Sequence, residues 1–255
     1  MTKHMTRIAL PAILMFCFVS VMYAGPVNCS MTPSNPSCAP TFTLTYQVGN
    51  GLPQNFAFAT VPVYSSESWN ASFTPQSVSN FSFTGGQLAS APDPYVGFSF
   101  GVVNTSSQVM TFNYDFSTVY AGGPYALATA VFGDVLIDTN FTGTSTVAPL
   151  GSNYIMNTYD NGILLSMLNI GEGCTTPAQV FVCTSPDIGA IGPFPYTSDA
   201  SGILEVKGSF TVTPGGQFTL TGRSTLAPIP EPGTMALFAS GVIGLAGVLR
   251  RKINL

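Results

Sequence analysis

Apolar and polar residues alternate along much of the chain, which is the pattern of half-buried β-strands. Over residues 41–48, Phe, Leu, Tyr and Val occupy one set of alternate positions, and Thr and Gln the other. The same period of two returns at 110–116, at 204–212 and after Pro214-Gly215-Gly216. A period of two places alternate side chains on opposite faces of a sheet. The pattern therefore predicts antiparallel strands with one buried face.

Turn signals separate these strands. Asp160-Asn161-Gly162 and Asn50-Gly51 supply residues that tolerate the positive φ of tight hairpin turns. Between residues 25 and 226 no long stretch has convincing helical spacing, and for the segment 163–170 a strand is favoured over a short helix. Short strands broken by Gly, Pro and Asn predict an all-β fold, an antiparallel sandwich of the jelly-roll-like kind.

The N-terminus departs from this pattern. Lys3 and Arg7 precede an apolar run at 8–21, and small residues follow at 24–25. This order is typical of a secretory signal peptide, whose apolar run forms a signal helix. We expect cleavage after Ala24, and an uncleaved N-terminal anchor is the alternative.

The C-terminus departs from it as well. A proline-rich stretch is followed by an uncharged apolar run at 234–249 and then by a basic cluster. We expect a transmembrane helix over 234–249 with its basic end in the cytoplasm, and a buried helix of a soluble domain is the alternative. The residues that flank the run are Pro230, Glu231 and Pro232 before it, and Arg250, Arg251 and Lys252 after it.

These three parts, in this order, resemble the PEP-CTERM sorting signal of Gram-negative bacteria. The resemblance covers residues 228–252, about a tenth of the chain. It implies export, transient anchoring in the inner membrane, and processing near Pro230-Glu231-Pro232 by an exosortase, an integral-membrane enzyme. It also implies a place at the cell surface or in the extracellular matrix, with exopolysaccharide as a candidate partner.

The chain is therefore expected to have three parts, a signal peptide at 1–24, an exported β-sandwich domain at 25–226 and a sorting and anchor segment at 227–255. In the exported domain, Lys207 and Arg223 are the only basic residues against ten acidic ones, so its formal charge is −8. Phosphate neutralisation requires clustered Lys and Arg, which this domain does not have. We therefore predict that nucleic acid is not a partner.

Four cysteines lie in the exported part as two pairs, Cys29 with Cys38 and Cys174 with Cys183. Because exported proteins meet oxidising conditions, two local disulfides are the simplest of the three connectivities. A zinc site is the competing interpretation. It is disfavoured because C-x-x-C spacing and histidine ligands are both missing.

Candidate catalytic groups are few. The only histidine, His4, lies in the leader, which excludes histidine-dependent triads and His-ligated metals from the exported part. The segment 97–101 has the spacing of a nucleophile elbow but no histidine base. Asp134 and Asp138 in one strand would lie roughly 13 Å apart, beyond the spacing of a glycosidase pair. We predict no catalytic residue, no metal site and no cofactor.

Two weaker binding hypotheses concern sugar and calcium. Trp69 lies between polar residues and is the speculative sugar contact, because an exposed ring can stack on a pyranose. A Trp that caps the core is the favoured alternative. Oxygen donors near turns could bind calcium, but without a complete ligand loop they are better explained as turn formers. These donors are Asp138, Asn140, Asp160 and Asn161.

The function favoured by the sequence is that of an exported, non-catalytic protein of the cell surface or the exopolysaccharide matrix. A carbohydrate-binding module of the extracellular matrix is the alternative. A histidine-free glycoside hydrolase or lyase is a third hypothesis, and it requires two facing acids about 5 to 10 Å apart.

Overall fold

A computed structural model describes most of the exported part and a few residues of the tail. The chain divides into two units, one of residues Ala24–Ile229 and one made of the two ends, Met1–Tyr23 and Pro230–Leu255. The described residues are 39–58, 60–65, 68–91, 94–120, 125–140, 145–150, 155–168, 174–175, 182–183, 190–196, 202–228, 238 and 240–243.

Several predicted features lie outside these residues, among them the signal peptide, Cys29, Cys38, the Pro230-Glu231-Pro232 tripeptide and the basic cluster. In the tail, residues 238 and 240–243 are helical. No helix within the described ranges is long and apolar enough to span a membrane. The signal helix and the transmembrane helix at 234–249 therefore stay predictions.

The unit Ala24–Ile229 is built from antiparallel β-strands, as the alternation predicts. They are β1 (Thr41–Val48), β2 (Gln54–Phe56), β3 (Val63–Ser65), β4 (Ser68–Phe73), β5 (Gln76–Ser77), β6 (Phe81–Ala91), β7 (Tyr95–Asn104), β8 (Met110–Tyr120), β9 (Tyr125–Asp138), β10 (Thr146–Pro149), β11 (Met156–Asp160), β12 (Ile163–Leu168), β13 (Cys174–Thr175), β14 (Val182–Cys183), β15 (Ala190–Pro195), β16 (Gly202–Val212) and β17 (Gly216–Pro228).

The strands form two sheets that pack as a sandwich. The first sheet has the order β12-β11-β16-β8-β1-β2, with β10 and β13 attached to it. The second has the order β14-β9-β17-β7-β6-β4-β3, with β15 and β5 attached. This confirms the predicted all-β antiparallel sandwich. The segment 163–168 is strand β12, as favoured, and it pairs antiparallel with β11.

Strict alternation in β8 shows how the sequence produces the core. Its buried side chains come at every second position from Met110 to Tyr120, while the residues between them lie on the outer face. Phe116 of the first sheet stacks on Phe98 of the second at 4.3 Å between ring centroids and on Phe42 at 4.0 Å. Burying one such side chain contributes about 1.5–3 kcal/mol. Aromatic rings from both sheets therefore fill the interior.

Tight turns fix the register of the hairpins. Asn161 and Gly162 have φ of 50° and 78°, the two positive values that a type I′ turn between β11 and β12 requires. Gly215 has φ of 75° in the turn between β16 and β17. At the end of β1 the positive φ falls on Gly49, with 53°, and not on the predicted Asn50-Gly51 pair.

Asn104 connects the two sheets at one end of the sandwich. This residue of β7 is fully buried, and its Nδ2 donates to the carbonyls of Gln108 and Val212, each at 2.8 Å. Its Oδ1 accepts from the backbone N–H of Ser106 at 2.9 Å and from the Ser106 hydroxyl at 2.7 Å. Since Val212 belongs to the first sheet, one amide holds both sheets and the β7–β8 loop together.

Substituting Asn104 by Ala should destabilise the sandwich by about 2–4 kcal/mol, because it leaves the buried Val212 carbonyl without its donor and removes the acceptor of the two Ser106 hydrogen bonds. Urea denaturation measures this loss. Asn113→Ala is the control, since Asn113 is half-buried and bonds only Ser209 and Thr45 side chains on the outer face. Its cost should stay below about 1 kcal/mol, and equal costs for the two variants would contradict this role of Asn104.

Backbone pairing places the later cysteine pair on different sheets. Cys174 of β13 lies opposite Val147 of the first sheet, and Cys183 of β14 lies opposite Leu136 of the second. The disulfide predicted between them would therefore join the sheets covalently.

We expect Cys183→Ser to lower the free energy of unfolding by about 2–3 kcal/mol under non-reducing conditions, because it opens a loop of about ten residues. The same comparison in reductant is the control, and there the difference should shrink to below about 1 kcal/mol. Alkylation of Cys174 and Cys183 in the native, unreduced protein would show free thiols and refute the bridge.

Candidate functional site

Among the described residues, one edge of the first sheet is only partly covered. Strand β2 pairs with Leu44–Tyr46 of β1, and within the described ranges Thr41–Thr43 pair only with β8. A cleft of about 490 Å³ lies there, which we call the edge cleft. Its lining residues are Pro40, Thr41, Phe42, Thr43, Leu44, Asn55, Phe56, Phe58, Thr60, Pro62, Phe73 and Leu88.

Aromatic rings form the floor of the edge cleft. Phe58 stacks on Phe42 with 4.3 Å between centroids and lies 4.9 Å from Phe73. Hydroxyl and amide groups of Thr41, Asn55 and Thr60 belong to the same lining. None of its described lining residues is titratable, and these residues offer apolar contact surface and hydrogen bonds.

The outer face of the first sheet carries an ion cluster around Lys207. Its Nζ lies 2.9 Å from Glu205 Oε2 and 3.3 Å from Asp115 Oδ2, and 5.7 Å from the centre of the Tyr159 ring. The Lys207 and Asp115 side chains are about two-fifths exposed. An exposed cluster of this kind contributes little to stability, about 0–1 kcal/mol for each pair.

Burial and charge shift the pKa values within this cluster. Burial raises the pKa of Asp115, and Glu205 raises it further, although Lys207 lowers it. Asp115 Oδ1 is buried and has no hydrogen-bond partner, which agrees with a carboxylate that is poorly solvated. Burial lowers the pKa of Lys207, but the hydrogen bond to Glu205 and the two carboxylate charges raise it more, so its net shift is upward.

The outer face of the second sheet has a shallow polar depression, which we call the glycine groove. Its volume is about 520 Å³. A Cβ atom at Gly101 would come too close to the Thr84 hydroxyl, so a larger residue there would force the Thr84 side chain to move. The lining residues are Ser72, Phe73, Pro75, Thr84, Gly85, Gly86, Gln87, Ser99, Phe100, Gly101 and Thr219.

Arg223 lies on the same outer face. It belongs to β17, and its guanidinium carbon lies 4.6 Å from the centre of the Tyr95 ring of β7. The side chain is exposed, and no carboxylate among the described residues forms an ion pair with it. The guanidinium is therefore held by stacking on the ring and not by an ion pair with a described residue.

Trp69 does not lie where a sugar contact requires it. The side chain is 6% exposed and packs edge-on against Tyr64 at 5.3 Å between centroids, beside Ala39 and Val119. A ring this buried cannot serve as a platform for a pyranose. The sugar contact at Trp69 is therefore corrected to the core-capping alternative.

Three of the four candidate calcium donors accept hydrogen bonds within the fold through their side-chain oxygens, namely Asp138, Asp160 and Asn161. The backbone N–H of Asn140 donates to Asp138 Oδ1 at 3.1 Å, which is the local bond of a turn former. Asp160 is buried and accepts from the hydroxyl of Tyr120 at one oxygen and from that of Tyr196 at the other. Asn161 Oδ1 accepts from the backbone N–H of Ile203 at 3.0 Å.

The segment 97–101 lies wholly within β7, which continues to Asn104. A nucleophile elbow needs a strand that turns into a helix at the serine. The segment is therefore the Phe-rich strand that the sequence favours over an elbow, with Phe98 and Phe100 in the core.

The sequence did not reveal the Asp160 cluster or the stack of Arg223 on Tyr95. Alternation places Tyr95 and Arg223 on outward positions of their strands. Their contact depends on β7 and β17 being neighbours, and these strands are far apart along the chain. Strand order is not encoded in any local pattern, so the sequence carried no signal for either cluster.

Asp115→Asn should remove the part of the pH dependence of the free energy of unfolding that comes from the Asp115 carboxyl. Because the folded pKa of Asp115 lies above the unfolded value near 3.8, the native state binds more protons, and the free energy of unfolding falls as pH rises through this window. We expect a contribution below about 1 kcal/mol, since the side chain is partly exposed. Urea unfolding between about pH 3.5 and 7 measures it.

The matched variant is Lys207→Gln, which removes the group that lowers the Asp115 pKa. It should move the titration of the Asp115 carboxyl, followed by NMR, to higher pH. A carboxyl that titrates below 3.8 in the native protein would contradict this account of the cluster.

Comparisons with known proteins bear mainly on the tail. No curated protein matches the sequence. A solved structure described as TmCBM61 in complex with beta-1,4-galactotriose has 9% identity and a TM-score of 0.26, over 52% of this chain and 71% of its own. Similarity at this level carries no argument about function. Residues 228–252 match the family described as the PEP-CTERM protein-sorting motif, so the chain carries this motif where its sequence pattern predicted it.

Proposed function

We propose that the chain is an exported protein of the cell surface or the exopolysaccharide matrix, which acts by binding and not by catalysis. In this proposal the signal peptide 1–24 directs export, the domain 25–226 is the functional part, and the segment 227–255 anchors the precursor transiently in the inner membrane. The observation that carries the proposal is the sorting motif at residues 228–252.

The junction between domain and motif supports this division. Strand β17 ends at Pro228, the first residue of the motif. This strand lies between β7 and β9 in the second sheet, and its pairing with β9 runs to Pro228 opposite Tyr125. A cut upstream of Pro228 would remove part of an interior strand. Processing near Pro230-Glu231-Pro232 by an exosortase would leave the sandwich whole.

The described surfaces favour binding over turnover. The edge cleft has no titratable lining residue among those described. Asp115 and Glu205 are the acids that come together on an exposed face, and both are bound to the Lys207 ammonium. A hydrolase needs one acid free to protonate the leaving group. This arrangement is better explained as a structural ion cluster.

A catalytic role has a direct test at these two acids. The assay measures the release of reducing ends from an exopolysaccharide. If the wild-type protein releases them and both Asp115→Asn and Glu205→Gln do not, the protein is an enzyme and the proposal is wrong.

Glu231→Ala should block processing in the native host, because the change removes the acidic residue of the tripeptide. We expect the wild-type product to begin at Gly25, to end on the C-terminal side of Pro228 and to lack 234–249. The variant should remain full length in the inner membrane. Membrane fractionation with intact-mass measurement distinguishes the two.

Glu205→Ala is the control, since it removes an acid from the outer face of the sandwich and should be processed like the wild type. If the wild type also stays intact and anchored, the tail acts as a membrane anchor alone and the sorting proposal is wrong.

A further inference from the structure

The two basic residues of the exported domain are used in different ways. Lys207, on the first sheet, is bound by two carboxylates. Arg223, on the second sheet, is exposed and has no ion-pair partner among the described residues. The domain has a formal charge of −8, so most of its surface repels anions. On the outer face of the second sheet, Arg223 is the one described side chain whose positive charge can attract an anion.

Stacking on Tyr95 prepares Arg223 for such a ligand. The guanidinium carbon lies 4.6 Å from the ring centre. Stacking restricts the orientation of the guanidinium and uses its face, whereas hydrogen bonds to a ligand use the N–H groups at its edge. A planar donor fork of this kind matches a carboxylate, with two parallel charge-assisted hydrogen bonds. The recognised group is therefore expected to be a carboxylate.

The glycine groove lies on the same sheet face as Arg223, and its nearest lining residue on β7 is Ser99. Arg223 lies opposite Gly97, Thr221 opposite Ser99, and Thr219 opposite Gly101. Ser99 is therefore two residues from the Arg223 position, about 7 Å along the strand, and Tyr95 to Gly101 spans about 20 Å. This length suits a short run of sugar rings.

The lining of the groove matches a ligand rich in hydroxyl groups. Ser72, Gln87, Ser99 and Thr219 contribute hydroxyl and amide groups that both donate and accept hydrogen bonds. None of the described lining residues is charged. Charge recognition is therefore confined to Arg223, while the groove can bind neutral polar groups.

We propose that this face binds an acidic polysaccharide, with the carboxylate of a uronic-acid unit on Arg223 and the neighbouring sugar hydroxyls in the glycine groove. The inference rests on the proposed matrix function and names the ligand class and the site. Because the rest of the domain is acidic and repels a polyanion, we expect binding at this single site to be weak.

The test uses the full-length protein in detergent, titrated calorimetrically with hexameric oligogalacturonate and with its fully methyl-esterified form. The ester has the same sugar skeleton but no negative charge. We expect the acid to bind more tightly than the ester, and Arg223→Gln to weaken binding of the acid by about tenfold or more, as loss of a charge-assisted pair requires. Binding of the ester should change by less than about threefold.

Lys207→Gln is the matched control, since it makes the same change of charge on the other sheet. It should alter the affinity for the acid by less than about threefold. A second variant, Gln87→Leu, should weaken binding of acid and ester alike, because it acts in the groove and not on the carboxylate. Circular dichroism and thermal unfolding verify that each variant is folded.

Several outcomes would overturn the inference. Equal effects of Arg223→Gln and Lys207→Gln would show unspecific charge attraction, and equal affinity for acid and ester would show that charge is not recognised. A hexamer of glutamate that binds more tightly than the oligouronate, with the same dependence on Arg223, would assign the site to an acidic peptide. Binding of neither sugar would refute this inference, whereas failed processing of the wild type would refute the sorting proposal independently.

Discussion

Packing of aromatic rings between the two sheets is the interaction on which this structure depends. Phe116 of β8 contacts Phe98 across the interface, and Phe210 of β16 meets Phe218 of β17 at 4.7 Å. These rings are almost completely buried. Because the domain has few charges, burial of apolar surface and backbone pairing supply nearly all of its stability.

Because the apolar side chains are packed between the sheets, the outer faces carry mainly short polar side chains. The first sheet shows this along β8 and its neighbours, where Ser209 donates to Asn113 at 2.6 Å and Asn113 donates to Thr45 at 3.2 Å. Such rows of hydroxyl and amide groups hydrate well without a high charge density. Of the two basic residues of the domain, Lys207 is neutralised by two carboxylates, and Arg223 is the one to which the proposed ligand recognition is assigned.

Local patterns predicted the strands and the sorting motif, because both depend on neighbouring residues. In β1, β8 and β16 the sequence period of two predicts which side chains are buried. The Asn161-Gly162 pair predicts a tight turn because both residues tolerate the positive φ that they adopt. Trp69 was less predictable. Its polar neighbours left an exposed sugar contact open beside the favoured core-capping role, and the ring is buried against Tyr64. The cluster of Tyr120 and Tyr196 around Asp160 could not be predicted, because its residues come from separate segments of the chain. Predicting it requires the order of the strands in the sheets, which no local sequence pattern contains.

The central claim is that the tail delivers the sandwich to the outside of the cell, and one measurement tests it most directly. The location of the sandwich, detected with an antibody against it, should be compared in the native host with and without its exosortase. We predict that the sandwich reaches the surface or matrix when the enzyme is present and stays in the inner membrane when it is absent. An identical distribution in the two strains would contradict the claim.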